Sequence, residues 1–200
     1  MARIFGLDFT NVEKYLDSYG AYLVRQGQSR LNKRRASGNL RSSLRHKLFK
    51  TREKYVLMLL SARYGEFVEK GVSGTEVVRS YIDRYGKRKT SPFKYKQKQP
   101  PSFQIERFIK AKGIKGRKLK ASSYRLKDGT VKYRKDRGQF ITNKSLAFLI
   151  ARSIKRKGIK AASYYTQPLS YSYKYFKREL LANFKKDSLE AIQLIYKDRK

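Results

Sequence analysis

Apolar positions recur at helical spacing soon after the start of the chain: Val12, Tyr15, Leu16, Tyr19 and Leu23 share one side of a 3.6-residue repeat. Thr10 stands three residues before Glu13 in the pattern of a capping box. A helix is therefore expected to open at Thr10 and to fade into the basic stretch 30–35, where lysine and arginine suit the negative helix terminus. Gly38 breaks this period. From Leu44 the alternation through His46, Leu48 and Lys50, a pause at 51–53, and the run Tyr55-Val56-Leu57-Met58-Leu59-Leu60 predict a β-hairpin whose second strand is buried. Residues 64–70 read as a short helical turn, with Gly71 placed for a left-handed C-terminal cap.

Further along, residues 84–105 contain no acid and read as loop or arm, broken at Pro100-Pro101. Ser102 is placed to cap a helix carrying Ile105, Phe108 and Ile109 and ending at Gly113. Asp128-Gly129 between the alternating runs 123–127 and 130–134 predicts a small exposed hairpin with a two-residue type I′ turn. Helical spacing returns at Ser145 with Leu146, Leu149, Ile150, Ser153 and Ile154, ending at Gly158. It echoes the earlier helix, since both end in Lys-x-Lys-Gly-Ile, a cap in which glycine turns the chain and the isoleucine packs back. A last helix is expected from about 173 to 196, with Phe176, Leu180, Phe184, Ala191, Ile192 and Ile195 on its apolar side. The order predicts an α+β fold, a small antiparallel sheet packed with a long N-terminal helix and C-terminal helices. Residues 1–83 and 143–200 form the expected core, and 84–142 a basic helix-plus-hairpin insertion.

Charge changes this picture most. The 200 residues include 50 Lys and Arg against 15 Asp and Glu, a formal net charge of +35, so the chain repels itself and favours polyanions. The 16 Tyr and 11 Phe argue for a folded chain rather than a disordered one. Absent cysteine excludes a disulfide-stapled scaffold and sulfur-ligated zinc. The longest aliphatic run, 56–60, is far short of a membrane span, and residues 1–8 lack an apolar core of signal-peptide length, so no membrane partner is expected. Thirteen Lys and Arg between Arg107 and Arg137, against two Asp, make Lys112, Lys115, Arg117, Lys118, Lys120, Arg125, Lys132, Arg134, Lys135 and Arg137 the candidate polyanion-binding residues. Tyr124 and Tyr133 are interleaved as faces on which bases can stack.

Catalytic chemistry finds little purchase. The lone His46 reads as an exposed strand residue, and no thiol, histidine cluster or HExxH spacing exists. The stretch 113–118 lacks the GxxxxGK[ST] spacing of a phosphate-binding loop. A metal-dependent nuclease built on Glu66, Glu69 and Asp83 ranks last among the alternatives. No catalytic residue, metal or cofactor is assigned.

Two segments carry a resemblance. Ser37-Gly38-Asn39-Leu40-Arg41-Ser42-Ser43-Leu44, followed by Ala62-Arg63-Tyr64-Gly65-Glu66-Phe67-Val68-Glu69-Lys70-Gly71, resembles the head–tail connector, or tail-completion, proteins of tailed bacteriophages, the HK97 gene-product-10-like family. The likeness covers roughly 10–75 and 143–196 and rests on Gly38, Leu40, Ser43, Tyr64, Phe67, Val68, Glu69 and Gly71. The family closes with a Pro-Phe-containing segment, for which Tyr164-Tyr165-Thr166-Gln167-Pro168 stands here. The resemblance implies a ring-forming structural neck protein of the virion, not an enzyme, assembled in the host cytoplasm. Its expected partners are further copies of itself, the portal, other neck or tail proteins, and the backbone of double-stranded DNA in the channel. The alternative, from charge alone, is a free sequence-independent nucleic-acid-binding protein.

Overall fold

The computed structural model describes residues 9–33, 38–51, 54–116, 123–133 and 140–197. In chain order the elements are α1 (Thr10–Lys33), α2 (Gly38–Ser43), β1 (Arg45–Lys50), β2 (Tyr55–Leu60), α3 (Gly65–Lys70), β3 (Ser80–Ile82), β4 (Arg88–Thr90), α4 (Ser102–Ala111), β5 (Ser123–Arg125), β6 (Val131–Tyr133), α5 (Asn143–Lys157) and α6 (Thr166–Lys197). The fold is α+β, and the strands form three separate antiparallel ribbons, β1–β2, β3–β4 and β5–β6. Packing divides the chain into two units: unit 1 holds residues 1–72, 79–93 and 160–200, and unit 2 holds 73–78 and 94–159. This division departs from the expected insertion at 84–142. Residues 84–93 complete the β3–β4 ribbon of unit 1, and α5 packs with α4 in unit 2.

In unit 1, α1 and α6 run side by side, and the β1–β2 ribbon lies on α1. One cluster joins Phe9, Val12 and Leu16 of the first helix to Leu48, Tyr55, Phe176 and Leu180. A second gathers Leu31, Leu40, Leu44, Ala162 and Tyr164. Fully burying each leucine, valine or phenylalanine among them contributes about 1.5–3 kcal/mol relative to exposure. In unit 2 the fully packed positions are Ile109 of α4 and Ala147 and Ala151 of α5, small residues that let two helices approach closely.

Several expectations change on contact with tertiary structure. The capping box at Thr10 does not form: Asp187 of α6 accepts from the backbone N–H groups of Asn11 and Val12 at 2.9 Å each, while Glu13 pairs with Lys50 at 3.2 Å. Strand β2 is half-buried rather than buried, and Met58 is exposed. Ser102 is the first residue of α4, preceded by extended Pro101, and makes no side-chain cap. The β5–β6 turn has three residues, with Leu126 N donating to Thr130 O at 2.9 Å and Gly129 alone at positive φ, so it is a bulged turn and not type I′. Helix α6 starts seven residues before the expected 173, with Pro168 tolerated in its first turn. The two Lys-x-Lys-Gly-Ile ends also differ. At α4, Ile114 N donates to Ile109 O and Gly113 N to Lys110 O, a Schellman motif; at α5, the carbonyls of Lys155 and Arg156 accept instead from Thr75 N and Glu76 N.

The β3–β4 ribbon was not foreseen. Its turn is set by Asp83, whose carboxylate accepts from Tyr85 N and Lys87 N at 2.9 Å each. The D-x-x-G pattern of 83–86 is the local signal that marks it.

Candidate functional site

The motif residues of the two resembling segments converge into one joint in unit 1. Leu40 is 1% exposed in the second cluster, and Val68 packs against that cluster. Ser43 Oγ donates to Leu40 O at 2.8 Å and accepts from Ala62 N at 3.0 Å, tying α2 to the residues before α3. Phe67 is half-exposed, its ring 4.5 Å from that of Phe93. Gly38 opens α2 at the surface, and Tyr64 precedes α3 with its ring exposed. Gly71 takes φ 70 and ψ 179, which only glycine adopts without strain. The expected left-handed cap is thus replaced by an extended positive-φ turn. Its carbonyl accepts from Ser91 Oγ at 2.7 Å.

Glu69 holds the joint together. Its carboxylate is buried and accepts four hydrogen bonds: from the backbone N–H groups of Tyr164 (2.6 Å), Tyr165 (3.2 Å) and Thr166 (2.9 Å), and from Thr166 Oγ1 (2.7 Å). A helix start leaves its first N–H groups without intrahelical partners, and a negative charge there opposes the positive end of the helix dipole. Glu69 therefore caps α6 across 97 residues of sequence. Two backbone bonds, Ala162 N to Val68 O and Ser163 N to Glu69 O, complete the seam, and Ser163 is held at φ 44. Burial pushes the Tyr164 hydroxyl up to about 12 and raises Tyr165 as well, so both are neutral structural hydroxyls.

The carboxylates once grouped as nuclease candidates serve three separate structures. Glu69 caps α6, and Glu66 pairs with Lys70 one turn on at 2.7 Å. Asp83 sits in the β3–β4 turn. Burial pushes its carboxyl up, but the N–H groups of Lys87 and Tyr85 and the Lys89 ammonium at 3.2 Å outweigh this and hold it below its ordinary value. Among the described residues no group of three or more His, Asp or Glu side chains is placed to hold a metal ion. His46, expected to be exposed, lies against α1 with its Nε2 2.9 Å from Asp17 Oδ1.

Of the candidate polyanion residues, Lys112 and Lys115 follow α4, and Arg125 and Lys132 lie on the β5–β6 ribbon, all four exposed. In the register Arg125 faces Val131 and Lys132 faces Tyr124, so the two cations alternate to opposite sides of the ribbon. Arg117, Lys118, Lys120, Arg134, Lys135 and Arg137 lie outside the described residues. Sequence reasoning missed a second gathering of cations in unit 2, where Lys96 lines one pocket with Arg152 and Lys155 of α5. The spacing of Phe148, Arg152 and Lys155 along one helix face was the available signal.

The chain matches no family model, no curated protein and no solved structure. No helix among the described residues is long and apolar enough to cross a membrane.

Proposed function

We propose that this chain is a structural subunit of a tailed-phage neck, assembling into a ring with copies of itself beside the portal, with its basic surface turned toward packaged DNA. The observation that carries this reading is the C-terminal half of α6. There Leu181, Leu189, Ile192, Leu194, Ile195 and Tyr196 are each half or more exposed, although the helical pattern places Ile192 and Ile195 on its apolar side. Exposed apolar side chains gathered along one stretch of helix mark a surface that another chain covers. Heterologous contacts repeated around an axis close into rings, and a neighbouring copy in such a ring supplies the cover. The motif joint supports the same reading, because Glu69 fixes the start of the helix that bears these side chains. Mass photometry and electron microscopy of the purified protein, alone and with portal protein, test it. Closed rings are expected; a chain that stays monomeric with portal present, and is missing from virions, overturns it.

The charge of unit 2 favours a second reading, a free sequence-independent nucleic-acid-binding protein. Unit 2 carries 21 Lys and Arg against 4 Asp and Glu, and unit 1 carries 29 against 11 in nearly twice the length. That reading expects the isolated monomer to bind duplex tightly, with log affinity falling steeply against log salt. Weak binding by monomer and strong assembly with portal favour the neck.

A further inference from the structure

We infer that unit 2 carries a pocket for one nucleotide of a single-stranded nucleic acid, its phosphate among Lys96, Arg152 and Lys155 and its base against Phe148. The pocket has a volume of about 670 Å³. Helix α5 presents Phe148, Arg152 and Lys155 at i, i+4 and i+7, neighbours on one face. The segment following β4 brings in Lys96 and Gln99, and Thr75 and Glu76 complete the wall.

Backbone bonds hold these pieces in register before any ligand arrives. Thr75 N donates to Lys155 O and Glu76 N to Arg156 O, each at 3.0 Å, and Tyr95 N donates to Ser73 O at 2.9 Å. Gly74 is pressed so close to the Arg156 carbonyl that a Cβ would collide with its oxygen. Glu76, the one acid in the lining, is bonded by Arg156 Nε at 2.6 Å, which holds its carboxyl below the ordinary range. No carboxylate among the described residues pairs with Lys96, Arg152 or Lys155. With Glu76 taken up by Arg156, three cations lining one pocket favour an anion of several oxygens.

Phe148, about half exposed in the same wall, decides which anion. Inorganic phosphate has no use for an aromatic face, and a duplex keeps its bases stacked on each other. An unpaired base can lie on the ring, and stacking of this kind tolerates any sequence. A strand fits better than a free nucleotide because the exposed Lys94 and Lys98 flank Lys96, continuing the positive track past one phosphate.

This inference deepens the polyanion part of the reading above and does not depend on ring formation. Fluorescence anisotropy on the full chain tests it with a labelled oligothymidylate, a duplex of equal length, and ATP as competitor. Phe148→Leu is expected to weaken single-strand binding about five- to a hundredfold while leaving duplex binding unchanged. Arg152→Gln with Lys155→Gln is expected to flatten the salt dependence for the single strand by roughly 0.7 in log–log slope, the share of the one phosphate they hold with Lys96. Lys14→Gln with Lys185→Gln, exposed positions on α1 and α6 of unit 1, is expected to leave the single strand unaffected. Equal losses on strand and duplex for Phe148→Leu, an unchanged slope, or displacement of the oligonucleotide by ATP at matching concentration each overturn the pocket. Circular dichroism checks folding, and the charge variants decide if Phe148→Leu unfolds. Mass photometry of the same variants separates the two readings: intact rings without strand selectivity sink the pocket alone, and strand selectivity without rings sinks the neck alone.

Discussion

Unit 1 and unit 2 treat charge in opposite ways. In unit 1 the buried carboxylates Glu69, Asp83 and Asp187 are all engaged by backbone N–H groups, two of them at helix starts brought near by folding. Unit 2 buries no carboxylate among its described residues, packs Ile109, Ala147 and Ala151 at its centre, and leaves Arg152 and Lys155 of α5 and Lys96 without a paired carboxylate among the described residues. Charge serves cohesion in the first unit, where a carboxylate replaces water at a helix terminus. In the second, Lys96, Arg152 and Lys155 have no carboxylate partner among the described residues.

The sharpest way to break this contrast is to remove the carboxylate of Glu69. Glu69→Ala strands the N–H groups of Tyr164, Tyr165 and Thr166 in a buried joint, and is expected to cost roughly 3–5 kcal/mol in urea unfolding. Next comes Gly74→Ala, whose new methyl meets the Arg156 carbonyl. An expected loss of about 2–3 kcal/mol should fall on unit 2, read as faster amide exchange in α4 and α5 while α1 and α6 stay protected.

A subtler effect sharpens the view of the joint. The Tyr164 hydroxyl titrates at about 12 in the folded chain against an ordinary 10.0, so its contribution is intact below pH 10 and is lost as pH climbs from 10 toward 12. Tyr164→Phe is expected to make stability less steeply pH-dependent across that window, followed by urea midpoints on either side of pH 10. The smallest effect belongs to Lys112→Gln with Lys115→Gln: stability within about 0.5 kcal/mol of the parent. If these two lysines make the proposed backbone contacts, salt titrations of duplex binding lose roughly 1.8 in log–log slope, the share of two phosphates.

Much of this molecule was legible from local pattern. The spacing of Val12, Leu16 and Tyr19, the alternation from Leu44 to Leu60 and the glycines at 113 and 158 located α1, the β1–β2 ribbon and the ends of α4 and α5, because period and turn chemistry are properties of a few adjacent residues. The +35 charge and its density in 107–137 were equally plain. Distance along the chain hid the rest. Thr10 and Glu13 satisfy the capping-box pattern, yet Asp187 takes the α1 terminus because the packing of α6 delivers a carboxylate to the same N–H groups. Nothing local sets Glu69 apart from Glu66, and its role as a cap arises only because the fold lays residues 164–166 against it. Lys96 and Lys155 are 59 residues apart, and nothing local ties one to the other. The amino-acid order alone determined which segments curl, which extend and how much positive charge they carry. Only tertiary structure decided which carboxylates vanish into helix starts and which cations face each other, because those pairings depend on long-range packing of apolar faces that a local window cannot register.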